Sequence, residues 1–288
     1  MNIEELRKSQ SLEGKVAIVT GASRPNGQGR AISKALAVRG AKLVMTDLEG
    51  DDPRYNYEGL GVGSAEELAD AVEAVKALGT EAIGVTADVT DKAQIQEVVD
   101  AAVGAFGGID ILVNNAGSLH GDFIADLTDD VWDASYRVNL KAPVDFAAAV
   151  VPHMRERGGG SIVQNTSVAG IVAFAGGGCY SGTKHGAVGM MKVMAAEFGP
   201  DNIRVNAVCP GNVWTDISQR EAELFTERGF AESPEQFIQT LKDMSSLPGR
   251  YATPEDIAEA VAFLCTPGAK FITGTTLRVD GGISIVGA

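Results

Sequence analysis

The chain predicts an α/β fold: a single-domain, Rossmann-type doubly wound parallel sheet flanked by helices. Three observations predict it. Short Val/Ile-rich runs alternate with helix-period segments along the whole sequence, the links between them are short, and the first run passes through glycines directly into a helix. Such alternation requires crossover connections, which are right-handed and leave the strands parallel with helices on both faces. Strands covered on both faces read as continuous apolar runs, as the early ones do here.

Taken in order, residues 16–20, 42–46, 82–86, 109–114, 161–165, 204–209 and 276–279 read as strands. Residues 30–39, 65–78, 92–106, 129–157, 180–198 and 254–264 have helical spacing. In the second of these helices Leu68, Val72, Val75 and Leu78 form one apolar stripe. Two stretches exceed the minimal pattern. Residues 48–63 form a polar, glycine-containing insert after the second strand. Residues 212–250 follow the sixth strand and carry Trp214, Phe225, Phe230, Phe237 and Met244. Long excursions from a compact fold are commonly lids or binding loops, and a subunit contact is the other reading. With no internal repeat or linker, residues 1–288 are expected to form one domain.

Bulk properties narrow the function. The formal net charge is −14, which argues against nucleic acid or an anionic membrane surface as partner, since both need a basic face. Three cysteines, Cys179, Cys209 and Cys265, lack metal-ligand spacing, so no metal site and no disulfide framework is expected. The first fifteen residues are charged and lack an apolar core. No run is long enough to span a bilayer, so a cytoplasmic location is expected.

The glycine turn after the first strand reads Thr20-Gly21-Ala22-Ser23-Arg24-Pro25-Asn26-Gly27-Gln28-Gly29. Gly21, Gly27 and Gly29 let backbone approach a pyrophosphate, which then sits at a helix N-terminus where free N–H groups point. Asp47, ending the second strand, can accept both hydroxyls of an adenosine ribose and would repel a 2′-phosphate, favouring NAD over NADP. Arg24 pulls the other way, because a guanidinium can hold that phosphate. Asp88 could accept from an adenine amine, or could serve only a helix cap beside Thr90 and Asp91. Asn114, Asn115, Ala116 and Gly117 close the fourth strand at the carboxyl edge, where open α/β sheets bind ligands.

Tyr180 and Lys184 lie four residues apart, on one face of a helix. A neighbouring ammonium favours the phenolate, lowering a tyrosine pKa ordinarily near ~10 toward a working range for acid/base chemistry. Ser167 ends the fifth strand. Asn139 is a mediocre helix former inside its helix, and Pro143, four residues on, has no N–H for its carbonyl.

Together these residues resemble the short-chain dehydrogenase/reductase family, from about Leu12 to the Val279-Asp280-Gly281-Gly282 tail. Its turn is usually shorter; here Pro25 and Asn26 lengthen it by two residues. The resemblance implies that Tyr180 is the general acid/base, that Lys184 tunes it and binds the nicotinamide ribose, and that Ser167 orients the substrate oxygen. It also implies that Asn139 holds a water connecting to the lysine. Nucleotide contacts are implied at Gln28, Leu48, Val89, Asn115, Ala116, Gly117, Tyr180, Lys184, Pro210 and Gly211, with Val213 and Thr215 at the carboxamide.

The implied activity is reversible hydride transfer between NAD(H) and a secondary alcohol or ketone. Residues 118–120, 168–178 and 212–250 are expected to meet the substrate, and their apolar content favours a hydrophobic or cyclic one. His120 is either a substrate contact or a structural histidine. The insert resembles one in a mycofactocin-associated, NAD-binding subgroup and could fold over the adenosine end, or be a surface loop. An NADPH-dependent 3-oxoacyl-carrier-protein reductase and a non-catalytic nucleotide-binding sensor are the alternatives. Family members form homotetramers, and the Ala/Gly-rich faces of 143–154 and 183–196 permit close helix packing.

Overall fold

The computed structural model describes residues 3–50, 62–119, 123–247 and 249–285. Seven parallel strands form one sheet in the order β3-β2-β1-β4-β5-β6-β7. They are β1 (Val16–Thr20), β2 (Lys42–Asp47), β3 (Ala82–Thr86), β4 (Ile111–Asn114), β5 (Gly160–Asn165), β6 (Ile203–Pro210) and β7 (Thr276–Val279). The strand order reverses direction between β1 and β4, so the two following loops diverge and leave a crevice at the carboxyl edge.

Helices α1 (Ile3–Lys8), α2 (Gln28–Ala37), α3 (Ala65–Lys76), α4 (Lys92–Phe106), α5 (Asp129–Tyr136), α6 (Ala142–Glu156), α7 (Gly178–Phe198), α8 (Ser218–Glu227), α9 (Pro234–Asp243) and α10 (Pro254–Cys265) complete the described elements. Two apolar cores sandwich the sheet. One joins Ile32, Leu36, Leu68, Val72, Ile257 and Val261 of α2, α3 and α10 to β1 and β2. The other joins Ile95, Val98, Phe146, Val150, Met191 and Met194 of α4, α6 and α7 to the opposite face.

The expected elements are present, with instructive differences. Helix α2 starts at Gln28, two residues before the expected start, because Gly27 in extended backbone is its N-cap. The expected helix 129–157 is broken by a π turn, Arg137–Lys141, between α5 and α6. The Ala142 N–H donates to the Arg137 carbonyl, five residues back. Pro143 supplies no N–H of its own, and the wider turn absorbs that loss. Helix α1 was not expected from the sequence. Beyond β6, the 212–250 excursion folds into α8 and α9. Helix α9 is capped by Ser233, whose hydroxyl accepts from the Gln236 N–H. No helix among the described residues is long and apolar enough to cross a membrane. Most of the 48–63 insert, and His120, lie outside the described residues.

Candidate active site

At the crevice, β1 and β4 are stitched together by the residues that follow them. The Thr20 hydroxyl accepts from the Asn115 and Ala116 N–H groups at 3.0 and 2.9 Å. The Asn115 amide donates back to the Thr20 and Gly21 carbonyls, each at 2.9 Å. Glycine is required at both ends of this seam. Gly21 has φ +65°, and a Cβ on Gly29 would stand 2.0 Å from the Gly21 carbonyl oxygen. Beneath it the Asn165 amide donates to Gln28 Oε1 at 2.8 Å and to Asn115 Oδ1 at 2.9 Å, a link no sequence pattern announced.

A cleft runs along this edge. Twelve of the expected nucleotide contacts line it: Gly21, Arg24, Gly27, Gln28, Asp47, Leu48, Asp88, Val89, Asn115, Ala116, Gly117 and Thr215. Gly29 lies beneath the turn. Pro210 and Gly211 close β6 beside Asp280, where a Cβ on Gly211 would meet the Asp280 Cα at 2.8 Å. Val213 bridges to Ala252. The two additional turn residues reach across the cleft, since the Asn26 N–H donates to the Asp216 carboxylate at 2.9 Å.

Asp47 is held by its own surroundings. Its Oδ2 accepts from the Ser23 N–H at 2.9 Å and the Ser23 hydroxyl at 2.6 Å, and its Oδ1 accepts from the Leu48 N–H at 2.9 Å. Burial raises its pKa, while these hydrogen bonds and the Arg24 charge oppose the rise. Arg24 therefore faces the same carboxylate. Gly63, the last residue of the insert, presses on this corner: a Cβ there would fall 1.9 Å from the Ser23 hydroxyl. Asp88 accepts from the Thr90 N–H and hydroxyl at 2.8 and 2.7 Å. The cap on α4 is Asp91, which accepts from the Ala93 N–H.

Ser167, Tyr180 and Lys184 meet beside the cleft, from the end of β5 and the first turns of α7. The Ser167 hydroxyl hydrogen-bonds Tyr180 and also accepts from the Ala169 N–H at 3.1 Å. Lys184, 6% exposed, places Nζ 5.4 Å from the centre of the Tyr180 ring. One expectation is corrected here. Burial, with a smaller push from the Glu221 charge, drives Tyr180 up to about 12 despite the Ser167 hydrogen bond. Desolvation also takes Lys184 down to about 8, which weakens its pull on the phenol.

Asn139, 2% exposed, lies in the π turn and is clamped to the loop after β4. Its Oδ1 accepts from the Ser118 N–H at 3.1 Å and its amide donates to the Ser118 carbonyl at 2.8 Å. Gly117 fits between, because a Cβ there would lie 3.1 Å from Asn139 Oδ1 and 3.3 Å from Lys184 Nζ. Asn139 and Lys184 thus approach the same small space.

Comparison with known proteins identifies the family. A family model described as enoyl-(acyl carrier protein) reductase matches residues 21–284. The (-)-trans-carveol dehydrogenase of Rhodococcus erythropolis is 36% identical, over 95% of this chain and 99% of its own length. The chain belongs to the short-chain dehydrogenase/reductase family. It is an oxidoreductase with that family's NAD(P)-binding Rossmann fold. Another member, the 3-oxoacyl-[acyl-carrier-protein] reductase FabG of Thermotoga maritima, is 35% identical over 95% of this chain and 99% of its own. The solved carveol dehydrogenase of Mycobacterium avium, in complex with NAD, superposes with a TM-score of 0.87 at 34% identity, covering 94% of this chain and 98% of that one. Among short-chain dehydrogenase/reductases, then, this chain is similar along nearly its whole length to members that differ in substrate.

One group escaped the sequence reading. Glu221 of α8 lies close enough to Tyr180 and Tyr251 for its charge to raise both phenols. Its only advance signal was an acidic residue among the aromatics of the 212–250 segment.

Proposed function

We propose that the chain is an NAD-dependent dehydrogenase that interconverts a secondary alcohol and its ketone, with Tyr180 as general acid/base. The observation that carries this reading is the meeting of Ser167, Tyr180 and Lys184 beside a cleft lined by the glycine turn and Asp47. The residues fit a dinucleotide. Gly21 and Gly29 leave no room for side chains against the β1–β4 seam, and Gly27 begins α2 without a side-chain cap, leaving its N–H groups for phosphate. Asp47 would hold the adenosine ribose, and Val213 and Thr215 the carboxamide. When bound, NAD would accept hydride from the alcohol carbon and NADH would return it.

The chain's own groups manage the proton. Tyr180, kept protonated by burial, presents an O–H for a substrate carbonyl, which suits reduction. Ser167 holds the substrate oxygen against that phenol and fixes its distance from the reacting carbon. Lys184 supports the phenolate that remains, and Asn139 anchors the loop on which Gly117 sits. Residues 212–250 act as a lid. Its aromatics pack together, Phe225 stacked on Phe237 and edge-on to Phe230, which stacks on Phe123, forming a wall suited to an apolar, cyclic substrate.

NAD is preferred over NADP because the Asp47 carboxylate, which lines the cleft, would repel a 2′-phosphate. Arg24 beside it is the specific observation for the second reading, an NADPH-dependent 3-oxoacyl reductase. Initial rates with both nucleotides on cyclic and terpenoid alcohols and on 3-oxoacyl thioesters separate the two. Preference for NAD and alcohols is the expected result; preference for NADPH and thioesters overturns it. Assembly as a homotetramer through the small-residue faces of 143–154 and 183–196 belongs to the same proposal.

A further inference from the structure

Helix α8 turns one face toward the crevice. Ile217, Glu221 and Phe225 follow one another at four-residue intervals, so they share that face. Ile217, the N-cap of α8, lines the cleft. Phe225 is buried, stacked on Phe237 at 5.1 Å and edge-on to Phe230 at 5.2 Å. Phe230 in turn stacks on Phe123 at 5.1 Å and lies against Gly176, where a Cβ would come within 2.4 Å of its ring. Glu221 therefore sits between the nucleotide cleft and the aromatic wall, with the Tyr180 and Tyr251 phenols within reach of its charge.

Nothing in the described protein occupies its carboxylate. Burial alone perturbs it, with no hydrogen bond and no cation opposing. The adjacent Arg220 directs its guanidinium to Glu223 and Glu227 instead. Glu221 is half-buried, so its carboxylate is partly desolvated, has no protein partner among the described residues and stays open to a ligand donor. On this face Glu221 lies one helical turn from Ile217 at the cleft and one turn from Phe225 in the aromatic wall, within reach of the far side of a small ring substrate.

We propose that Glu221 is a specificity-determining residue that accepts a hydrogen bond from a second hydroxyl on an otherwise apolar, cyclic alcohol or ketone. The proposal rests on the alcohol dehydrogenase reading above and narrows its substrate class from plain to hydroxylated rings. A neutral donor suits the site better than an ammonium. Burial pushes Glu221 up to about 7, so near neutrality much of it is uncharged and would leave a desolvated cation unpaired.

The test compares cyclohexanol with its isomeric cyclohexanediols, in the native enzyme and in Glu221→Leu and Glu221→Gln. It uses two readouts: kcat/KM with NAD, and equilibrium binding in the presence of nucleotide, followed by tryptophan fluorescence. Assayed at about pH 8.5, above the titration of Glu221, at least one diol is expected to outperform cyclohexanol by about ten- to a hundredfold, the range for a hydrogen bond to a charged group. Glu221→Leu should bring that ratio close to one, and Glu221→Gln, which keeps an acceptor, should retain part of it. No preference for any diol in the native protein, or the same preference in Glu221→Leu, overturns the proposal. Selective diol binding without turnover, lost in Glu221→Leu, supports the assignment of Glu221 while removing the dehydrogenase reading. Turnover without diol preference does the reverse.

Discussion

At the amino ends of the strands, the buried Asp110 carboxylate is fully engaged. It accepts from Lys15 Nζ at 2.9 Å, from the Val16 N–H at 3.0 Å and from Arg157 Nη2 at 3.0 Å. Burial would raise its pKa, but these partners carry it below the ordinary value. At the carboxyl ends, Glu221 has no partner among the described residues, and Tyr180 and Lys184 are displaced by burial toward their uncharged forms. One sheet thus carries two opposite treatments of withdrawn charge. Where charge is paired it holds the strands and loops in place. Where it is left without compensation, proton positions respond to whatever enters the cleft.

Three substitutions probe that contrast. The largest effect is expected for Tyr180→Phe, which keeps the ring and removes the proton. Turnover should fall about a thousandfold, within the range for general acid/base catalysis, while nucleotide affinity by calorimetry survives. Turnover close to the native rate would remove Tyr180 from the chemistry.

Next, Asp110→Asn should cost about 2 kcal/mol in denaturant unfolding, because the buried carboxylate's charge-assisted hydrogen bonds from Lys15 and Arg157 are lost. The sign with pH follows from the depressed carboxyl. Its contribution is complete above the ordinary value of 3.8 and disappears as pH falls through the lower folded value. The gap between native and variant should therefore close in acid, and a gap that widens there would contradict the pairing.

The smallest effect has the opposite slope. Glu221 is raised, so its ionisation costs nothing below its ordinary 4.5 and the full penalty above about 7. Glu221→Leu should stabilise by about 1 kcal/mol at pH 8 and less at pH 5, read as the shift in Tm. Equal shifts at both pH values would mean that the carboxylate is not isolated.

Much of this was legible before any coordinates. Continuous apolar runs marked the strands, and β1, β3 and β7 fall on the expected residues. The glycine turn located the cleft, since glycine spacing reports where backbone must come close. What stayed hidden depends on contacts between distant segments. The π turn shifts the helix register just before Pro143, a change that residue spacing does not announce. The Asn165–Gln28–Asn115 chain joins three loops, and the crossing from Asn26 to Asp216 spans 190 positions. The proton affinities were hidden for a related reason. The four-residue spacing of Tyr180 and Lys184 gives their adjacency, but how deeply both are desolvated is set by segments distant in sequence, β6 among them.

The π turn has a consequence for how this chain can change. It spends one residue more than a regular spiral would, and an α-helix rotates by about 100° per residue. Deleting any position from Arg137 to Lys141 would restore an even coil and swing the Asn139 amide off Ser118. Point substitution along that stretch keeps the count. The length of this segment is therefore bound to the chemistry next door.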